Sequence, residues 1–129
     1  QNPKTPNRIS INLINARKPQ VKKVLIVGGN GFVGNYIMKA FATQYPEIKI
    51  VGMSRRGQPE KEKRYLELPN VSYIKGNCLE PESFKNQIHD VDAIIHTVGI
   101  LFPSWSNENL SYRVMNRDAA VNMARELNN

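Results

Sequence analysis

The sequence predicts an α/β fold in which a parallel sheet is covered by helices on both faces. Short β-branched runs alternate with helical patterns in the order βαβαβαβα, which is typical of such folds. The connecting segments are short, as right-handed βαβ units require. The 129 residues are 40% apolar and 22% charged, the composition of an ordinary globular domain. No apolar stretch is long enough to cross a bilayer, and a single cysteine excludes an internal disulfide framework.

The elements follow from where each apolar pattern begins and ends. The first helix carries apolar side chains at positions 33, 37 and 41 and ends before Pro46. Pro81 opens a later helix that carries Phe84 and Ile88 one turn apart. The predicted strands span residues 21–27, 48–53, 71–75 and 91–97. The predicted helices span 32–44, 59–68, a segment from 81 onward and 110–128, with a long loop over 99–109.

The charge is concentrated at the N-terminus. The chain has 18 basic and 11 acidic residues, a net charge of +7. Residues 1–23 hold six basic residues and no acidic one, so residues 24–129 are nearly neutral. Because the body of the chain is nearly neutral, it is not expected to have the basic face with which a domain binds nucleic acid. We therefore divide the chain into a basic extended arm, residues 1–20, and a domain over residues 21–129.

The arm resembles the acid-poor, arginine-containing N-termini of proteins targeted to organelles. One interpretation is a disordered tail. A sharper one is a docking arm on an acidic partner, with polybasic contact to RNA or anionic lipid as the weaker alternative. A steep salt dependence of binding that disappears when residues 1–23 are deleted would support the alternative.

A glycine-rich loop lies between the first strand and the first helix. Gly28, Gly31 and Gly34 are spaced as in dinucleotide-binding loops, and the strand before and the helix after supply the required context. Glycine lets the backbone approach a pyrophosphate, and the helix N-terminus offers it unpaired N–H groups. Phe32 and Val33 belong to the same loop and mainly pack. The fold is therefore predicted to be Rossmann-like, with strand order 3-2-1-4.

The end of the second strand favours NADP(H) over NAD(H). An NAD site usually places an acidic residue about 20 residues after the glycine loop, where it holds the ribose diol. That region of this chain contains Ser54, Arg55 and Arg56 and no acid. A guanidinium binds a 2′-phosphate bidentately, and the Ser54 hydroxyl adds a donor. We expect only one arginine to contact the phosphate; the alternative is that they face water.

Three further residues follow the third and fourth strands, where ligands of such sheets lie. Asn77 either hydrogen-bonds the adenine edge or caps a loop. Cys78 is expected to be a small buried residue rather than a nucleophile. Thr97 and His96 end the fourth strand, and the histidine is either a ligand contact or a packed core residue.

Several motifs resemble the extended short-chain dehydrogenase/reductase superfamily across residues 21–129. They are the glycine loop, Gly-Asn-Cys-Leu after strand three, Val-Asp-Ala-Ile-Ile-His-Thr-Val-Gly on strand four and Met-Asn-Arg-Asp-Ala-Ala on the last helix. More narrowly, Gly-Gly-Asn-Gly-Phe-Val-Gly, Ser-Arg-Arg-Gly, His-Thr-Val-Gly-Ile-Leu and Tyr-Arg-Val-Met-Asn are similar to its atypical mitochondrial branch. That branch includes the nucleotide-binding accessory subunit of respiratory complex I and a related protein of coenzyme Q biosynthesis.

The resemblance implies roles for further residues. Val98 and Gly99 match the stretch that passes the coenzyme ribose, and Asn116 matches a helix asparagine that holds the active-site architecture in active members. Asn77 stands where the superfamily often has Asp, which leaves adenine recognition open. The predicted coenzyme-binding residues are Gly28, Gly31, Phe32, Val33, Gly34, Ser54, Arg55, Arg56, Asn77, Cys78, Thr97, Val98, Gly99 and Asn116. No catalytic residue or metal ligand is predicted.

Catalysis in the superfamily uses a Tyr-x-x-x-Lys pair on one helix, where the lysine lowers the tyrosine pKa. This chain has that spacing only at Tyr45 and Lys49, between the first helix and the second strand, with Pro46 inside. The pair is therefore not expected to be catalytic, and the domain is expected to be incomplete.

These observations lead to three functional hypotheses. The first is an NADP(H)-binding, non-catalytic accessory subunit of a mitochondrial assembly, either complex I or the coenzyme Q assembly. It would lie on the matrix side of the inner membrane and hold the nucleotide as a structural ligand. The second is an active NAD(P)-dependent reductase or epimerase whose catalytic half lies beyond residue 129. The third is an RNA- or membrane-surface-binding module that uses the basic arm.

Overall fold

The structure, a computed structural model, describes residues 20–59, 68–100, 102–107 and 110–129. Its centre is a four-stranded sheet of order β3-β2-β1-β4 in which every pair is parallel. The strands are β1 (Lys23–Val27), β2 (Lys49–Ser54), β3 (Val71–Lys75) and β4 (Ala93–His96). The predicted fold class and strand order are confirmed.

Within the described ranges, two α-helices and three irregular helical segments connect and cover the strands. Helix α1 (Phe32–Gln44) joins β1 to β2, and helix α2 (Ala119–Leu127) follows β4. A π-helical segment (Arg113–Asp118) leads directly into α2, and two 3₁₀ turns (Pro81–Ser83 and Lys85–Gln87) lie between β3 and β4. No helix in the described ranges is long and apolar enough to cross a membrane.

Two helix predictions need correction. The segment opening at Pro81 is not an α-helix, because the backbone of Phe84 is not helical (φ −136°, ψ −20°). This conformation places the Phe84 side chain in the core, where it is fully buried. The helix predicted over 110–128 is regular only from Ala119 onward, since its first part is π-helical. The arm over 1–20 and the helix over 59–68 lie outside the described residues, apart from residues 20, 59 and 68.

Each face of the sheet packs against its own apolar layer. Alternate residues of β1 and β2 point to α1 on one face, where Met38 and Ala42 are buried. The others point to Phe84, Ile88 and Met123 on the opposite face. Burying a side chain of this size stabilises the fold by about 1.5–3 kcal/mol. Because both faces are covered there, β1, β2 and β4 have the nearly continuous apolar sequences from which they were predicted.

The parallel arrangement brings the carboxyl ends of all four strands to one edge of the sheet. The glycine loop follows β1, the turn over residues 54–57 follows β2, Gly76 and Asn77 follow β3, and Thr97 follows β4. Ligands of open α/β sheets bind outside this edge.

Candidate dinucleotide-binding site

A cleft of about 590 Å³ lies at the carboxyl ends of the strands. It is lined by segments that follow every strand and by the residues leading into the π-helical segment. Its lining contains twelve of the residues predicted for the coenzyme: Gly28, Gly31, Phe32, Val33, Gly34, Ser54, Arg55, Asn77, Cys78, Thr97, Val98 and Gly99. Arg56 and Asn116, predicted for the same site, do not line it.

The glycine loop is held in a conformation that excludes larger side chains. Gly28 has φ +87°, and its N–H donates to the Met53 carbonyl at 2.9 Å. A Cβ atom at Gly34 would collide with the Gly28 carbonyl oxygen and lie 2.8 Å from the carbonyl carbon. Helix α1 can therefore begin directly against the loop only if position 34 is glycine.

The start of α1 is suited to an anion. Gly31 is its N-cap, no side chain caps the first turn, and that turn contains no acidic residue. Such a helix end presents unpaired N–H groups and the positive end of the helix dipole. Because Gly31 and Gly34 both line the cleft, the start of α1 lies at the edge where a dinucleotide would place its phosphates. Its N–H groups and its positive dipole end would stabilise their negative charge there.

The turn after β2 carries the two predicted arginines. Arg55 lines the cleft, whereas Arg56 lines an adjoining hollow of about 570 Å³ with Asn30, Gly31, Ser54 and Arg55. Both arginines are exposed, and no acidic residue among those that the structure describes lines the cleft or this hollow. Gly57 has φ +79°, so the turn needs glycine there.

The Ser54 hydroxyl is placed differently from the prediction. Its Oγ donates to the Gly57 carbonyl at 3.0 Å and accepts from Asn30 Nδ2 at 2.7 Å and from the Gly57 N–H at 3.0 Å. A hydroxyl has one hydrogen, and here it is used within the turn. Ser54 therefore shapes the turn and is not a free donor for a phosphate.

Asn77 and Cys78 follow β3. The Asn77 Oδ1 atom accepts from the Leu79 N–H at 3.0 Å, so the loop-capping role is present while the residue also lines the cleft. Cys78 is 6% exposed, and burial raises the pKa of its thiol despite the nearby Arg55 guanidinium. A buried thiol with a raised pKa is a poor nucleophile, in agreement with the packing role expected.

The segment after β4 is fastened at two points. Thr97 Oγ1 donates to the Val27 carbonyl at 2.7 Å, which ties the end of β4 to β1. Asn116 Oδ1 accepts from the Ile100 N–H at 2.8 Å, and its Nδ2 donates to the Ile100 carbonyl at 3.3 Å. Asn116 thus holds the strand-end segment in place from outside the cleft.

His96 lies beside the cleft lining, not in it. Its two ring nitrogens are inaccessible to solvent and have no hydrogen-bond partner in the part of the chain that the structure describes. Burial lowers its pKa from the ordinary value. This is the packed arrangement rather than a ligand contact, and it keeps the imidazole neutral at pH 7.

The Tyr45–Lys49 spacing lies at the wrong end of the molecule for catalysis. Tyr45 is the C-cap of α1 and Lys49 is the first residue of β2. Both therefore lie at the amino-terminal end of β2, whereas the cleft is at the carboxyl end. No group of residues able to hold a metal ion occurs within the described ranges.

Sequence reasoning missed two kinds of residue. Asn30 joins the glycine loop to the β2 turn, and a polar residue among glycines was the available signal. An apolar lining was also missed, because its members come from separate segments: Met53, Leu79, Ile100, Leu110 and Met115.

The fold and the cleft are those of a Rossmann-like domain, a class in which dinucleotides bind at the carboxyl ends of the strands. The family model described as "NAD dependent epimerase/dehydratase family" matches residues 24–128. The chain belongs to that family, which confirms the predicted resemblance at the level of this short-chain dehydrogenase/reductase-like class.

Curated relatives include plant enzymes. Phenylcoumaran benzylic ether reductase TP7 of Nicotiana tabacum is 33% identical over 82 residues, which cover 61% of this chain and 27% of that protein. Eugenol synthase 2 of Clarkia breweri is 32% identical over 82 residues, 61% of this chain and 26% of that protein. The matched region thus spans about a quarter of the length of these relatives. They are plant enzymes, not mitochondrial subunits, so the mitochondrial branch stays a prediction.

Solved structures share the fold. L-threonine dehydrogenase from Clostridium difficile superimposes with a TM-score of 0.65 at 21% identity, covering 84% of this chain and 33% of that one. The Bordetella bronchiseptica enzyme WbmH in complex with NAD+ has a TM-score of 0.61 at 21% identity, covering 83% and 35%.

Proposed function

We propose that this chain is the nucleotide-binding half of an NADP(H)-dependent reductase or epimerase whose catalytic half lies beyond residue 129. The family membership supports a nicotinamide coenzyme, and relatives named as reductases support the reaction class. Those relatives are about four times as long as the region matched, which leaves room for a catalytic half.

The observation that carries the NADP(H) preference is the basic turn beside the glycine loop. Arg55 and Arg56 lie at the position where an NAD site would use a carboxylate, and no acidic residue in the described part of the chain lines the cleft or the adjoining hollow. A guanidinium attracts the 2′-phosphate that distinguishes NADP(H). Arg55 lines both cavities, whereas Arg56 lines only the hollow. Arg55 is therefore the better placed of the two arginines to contact both the 2′-phosphate and the adenine.

The chain's residues would bind and orient the coenzyme. The diphosphate fits the start of α1, the adenosine the side near Asn77 and Leu79, and the nicotinamide the side formed by Val98, Gly99 and Ile100. Once bound, the coenzyme supplies or accepts a hydride. The apolar lining from Leu110 and Met115 would exclude water from the ring and favour a substrate with an apolar part.

Equilibrium titration of the full-length protein with NADPH and NADH tests this proposal. We expect NADPH to bind at least about tenfold more tightly than NADH. NADH lacks the 2′-phosphate, and about tenfold is the affinity that one charged hydrogen-bond pair contributes. Equal affinity would remove the NADP(H) preference, and binding of neither would overturn the proposed function.

The second candidate is the non-catalytic accessory subunit of a mitochondrial assembly on the matrix side. The local motifs that resemble the mitochondrial branch favour it. A read-out of the sequence after residue 129 separates the candidates. A Tyr-x-x-x-Lys pair on a helix there supports the reductase. Full-length protein that retains NADPH without oxidising it, and migrates with complex I or a coenzyme Q assembly, supports the subunit.

A further inference from the structure

Asn30 joins two parts of the site that are far apart in the sequence. It lies inside the glycine loop, and its Nδ2 atom donates to Ser54 Oγ at 2.7 Å and to the Gly57 carbonyl at 2.9 Å. These partners belong to the arginine-bearing turn after β2. One side chain therefore connects the loop suited to a diphosphate with the turn suited to a 2′-phosphate.

The connection is a closed hydrogen-bond network. Ser54 Oγ donates to the Gly57 carbonyl, which thus accepts from both Asn30 and Ser54, while the Gly57 N–H donates back to Ser54. The atoms are partly buried. A satisfied network of this kind is rigid, because breaking one bond leaves a partly buried polar group without a partner.

We propose that Asn30 is a positioning residue for coenzyme discrimination, which fixes the Arg55–Arg56 turn against the glycine loop so that the guanidinium meets a 2′-phosphate. The inference rests on the proposed function, since it assigns a residue to the 2′-phosphate side of the same site. Charge-assisted bonds to phosphate depend steeply on geometry, so a turn that is free to shift loses affinity for NADPH and little for NADH.

Asn30 acts through the turn and not by direct contact. An amide group has two N–H hydrogens, and both are used by Ser54 and Gly57. What remains is the Oδ1 atom, an acceptor that a phosphate would repel. The Asn30 side chain therefore affects coenzyme binding through the integrity of the turn.

The test measures the affinity of the full-length protein for NADPH, NADH, adenosine 2′,5′-bisphosphate and AMP. Asn30→Ala should weaken NADPH and the bisphosphate about tenfold and change NADH and AMP less than about twofold. Asn70→Ala is the matched control, because the two N–H hydrogens of Asn70 Nδ2 are shared among the carbonyls of Ala42, Tyr45 and Ile48 at the other end of the sheet. It should lower the melting temperature and leave the NADPH/NADH ratio unchanged.

A double-mutant cycle with Ser54→Ala distinguishes positioning from contact. If Asn30 and Ser54 act through one network, the double variant should lose little more NADPH affinity than either single one. Additive losses, or an unchanged ratio in Asn30→Ala, would overturn the inference while leaving the proposed function intact. A wild-type protein that does not prefer NADPH would instead overturn the NADP(H) assignment. Asn30→Ser, which removes the amide without adding a charge beside the phosphate, serves if the alanine variant fails to fold. It should lose more NADPH affinity than NADH affinity, and a loss equal for both would overturn the inference.

Discussion

The two sides of the cleft are built differently. On the side proposed to hold the adenosine, the adenosine side, the glycine loop and the β2 turn follow strands with buried interiors and are joined by the part-buried network around Asn30. On the side proposed to hold the nicotinamide, the nicotinamide side, the segment after β4 follows a half-buried strand and is held by the exposed bonds between Asn116 and Ile100. Two aromatic side chains there, Phe102 and Trp105, are 85% and 99% exposed.

This difference separates coenzyme recognition from the surface that faces a substrate. The adenosine side is formed by residues 28–57 together with Asn77 and Leu79, which follow β3. On the opposite side, β4 pairs with β1 along one edge and with no other described strand. We infer that the coenzyme's identity is read by the first side, whereas the second side supplies only part of the surface facing a substrate.

The largest expected effect comes from the glycine loop. Gly34→Ala should abolish measurable binding of both coenzymes and lower the melting temperature, because the new Cβ meets the Gly28 backbone, which cannot move aside. Gly31→Ala is the control, since its Cβ meets only the Gly28 carbonyl oxygen, at 3.2 Å. Coenzyme titration and thermal unfolding of both variants check this, and equal behaviour of the two would contradict the packing account.

Removing the basic turn should change preference rather than abolish binding. Arg55→Ala with Arg56→Ala should weaken NADPH about tenfold to a hundredfold, the value of one or two charge-assisted bonds, and leave NADH nearly unchanged. Arg125→Ala, an exposed arginine outside the cleft lining, should change neither affinity. If both coenzymes lose affinity equally in the double variant, the arginines do not recognise the 2′-phosphate.

His96 should make stability depend on pH on the β4 side. Burial lowers its pKa in the folded protein, so the unfolded chain takes up a proton first as the pH falls below about 6.5. Stability should therefore be complete above pH 7, decline as the pH falls towards the lowered pKa, and level off below it.

The measurement is the melting temperature of the full-length protein between pH 7.5 and pH 5, where we expect a decline of a few degrees. His96→Leu should reduce that decline, while replacement of the exposed His89 by Gln should preserve it. An undiminished decline in His96→Leu would assign the pH dependence to other groups.

The smallest effect is expected at Asn116. Asn116→Ala removes two hydrogen bonds to Ile100, so the free energy of unfolding should fall by about 1–2 kcal/mol. The NADPH/NADH ratio should not change, because the contact lies on the nicotinamide side. Denaturant unfolding with coenzyme titration checks both statements, and a changed ratio would show that the two sides of the cleft are coupled.

The sequence was most informative where structure is local. Helix α1 and strand β3 have the predicted bounds, because an apolar helical periodicity fills α1 and turn residues, Pro69-Asn70 and Gly76, enclose β3. The helix predicted from Pro81 onward was wrong. A proline start and two apolar residues four apart also fit two 3₁₀ turns that bury Phe84 and Ile88.

The site shows the same limit. Glycine spacing and the absence of an acid after β2 are local signals, and the cleft contains the residues they indicated except Arg56, which lines the adjoining hollow. The bonds from Asn30 to Ser54 and from Asn116 to Ile100 join residues 24 and 16 positions apart. Such pairs depend on how the strands are placed together, which no local pattern records.

The most direct test of the account is a crystal structure of the full-length protein bound to NADPH. We predict the diphosphate against the N-terminus of α1, the 2′-phosphate within hydrogen-bonding distance of the Arg55 guanidinium, and the bonds of Asn30 to Ser54 and Gly57 intact. A 2′-phosphate directed away from this turn, or a coenzyme bound outside the cleft, would contradict the account.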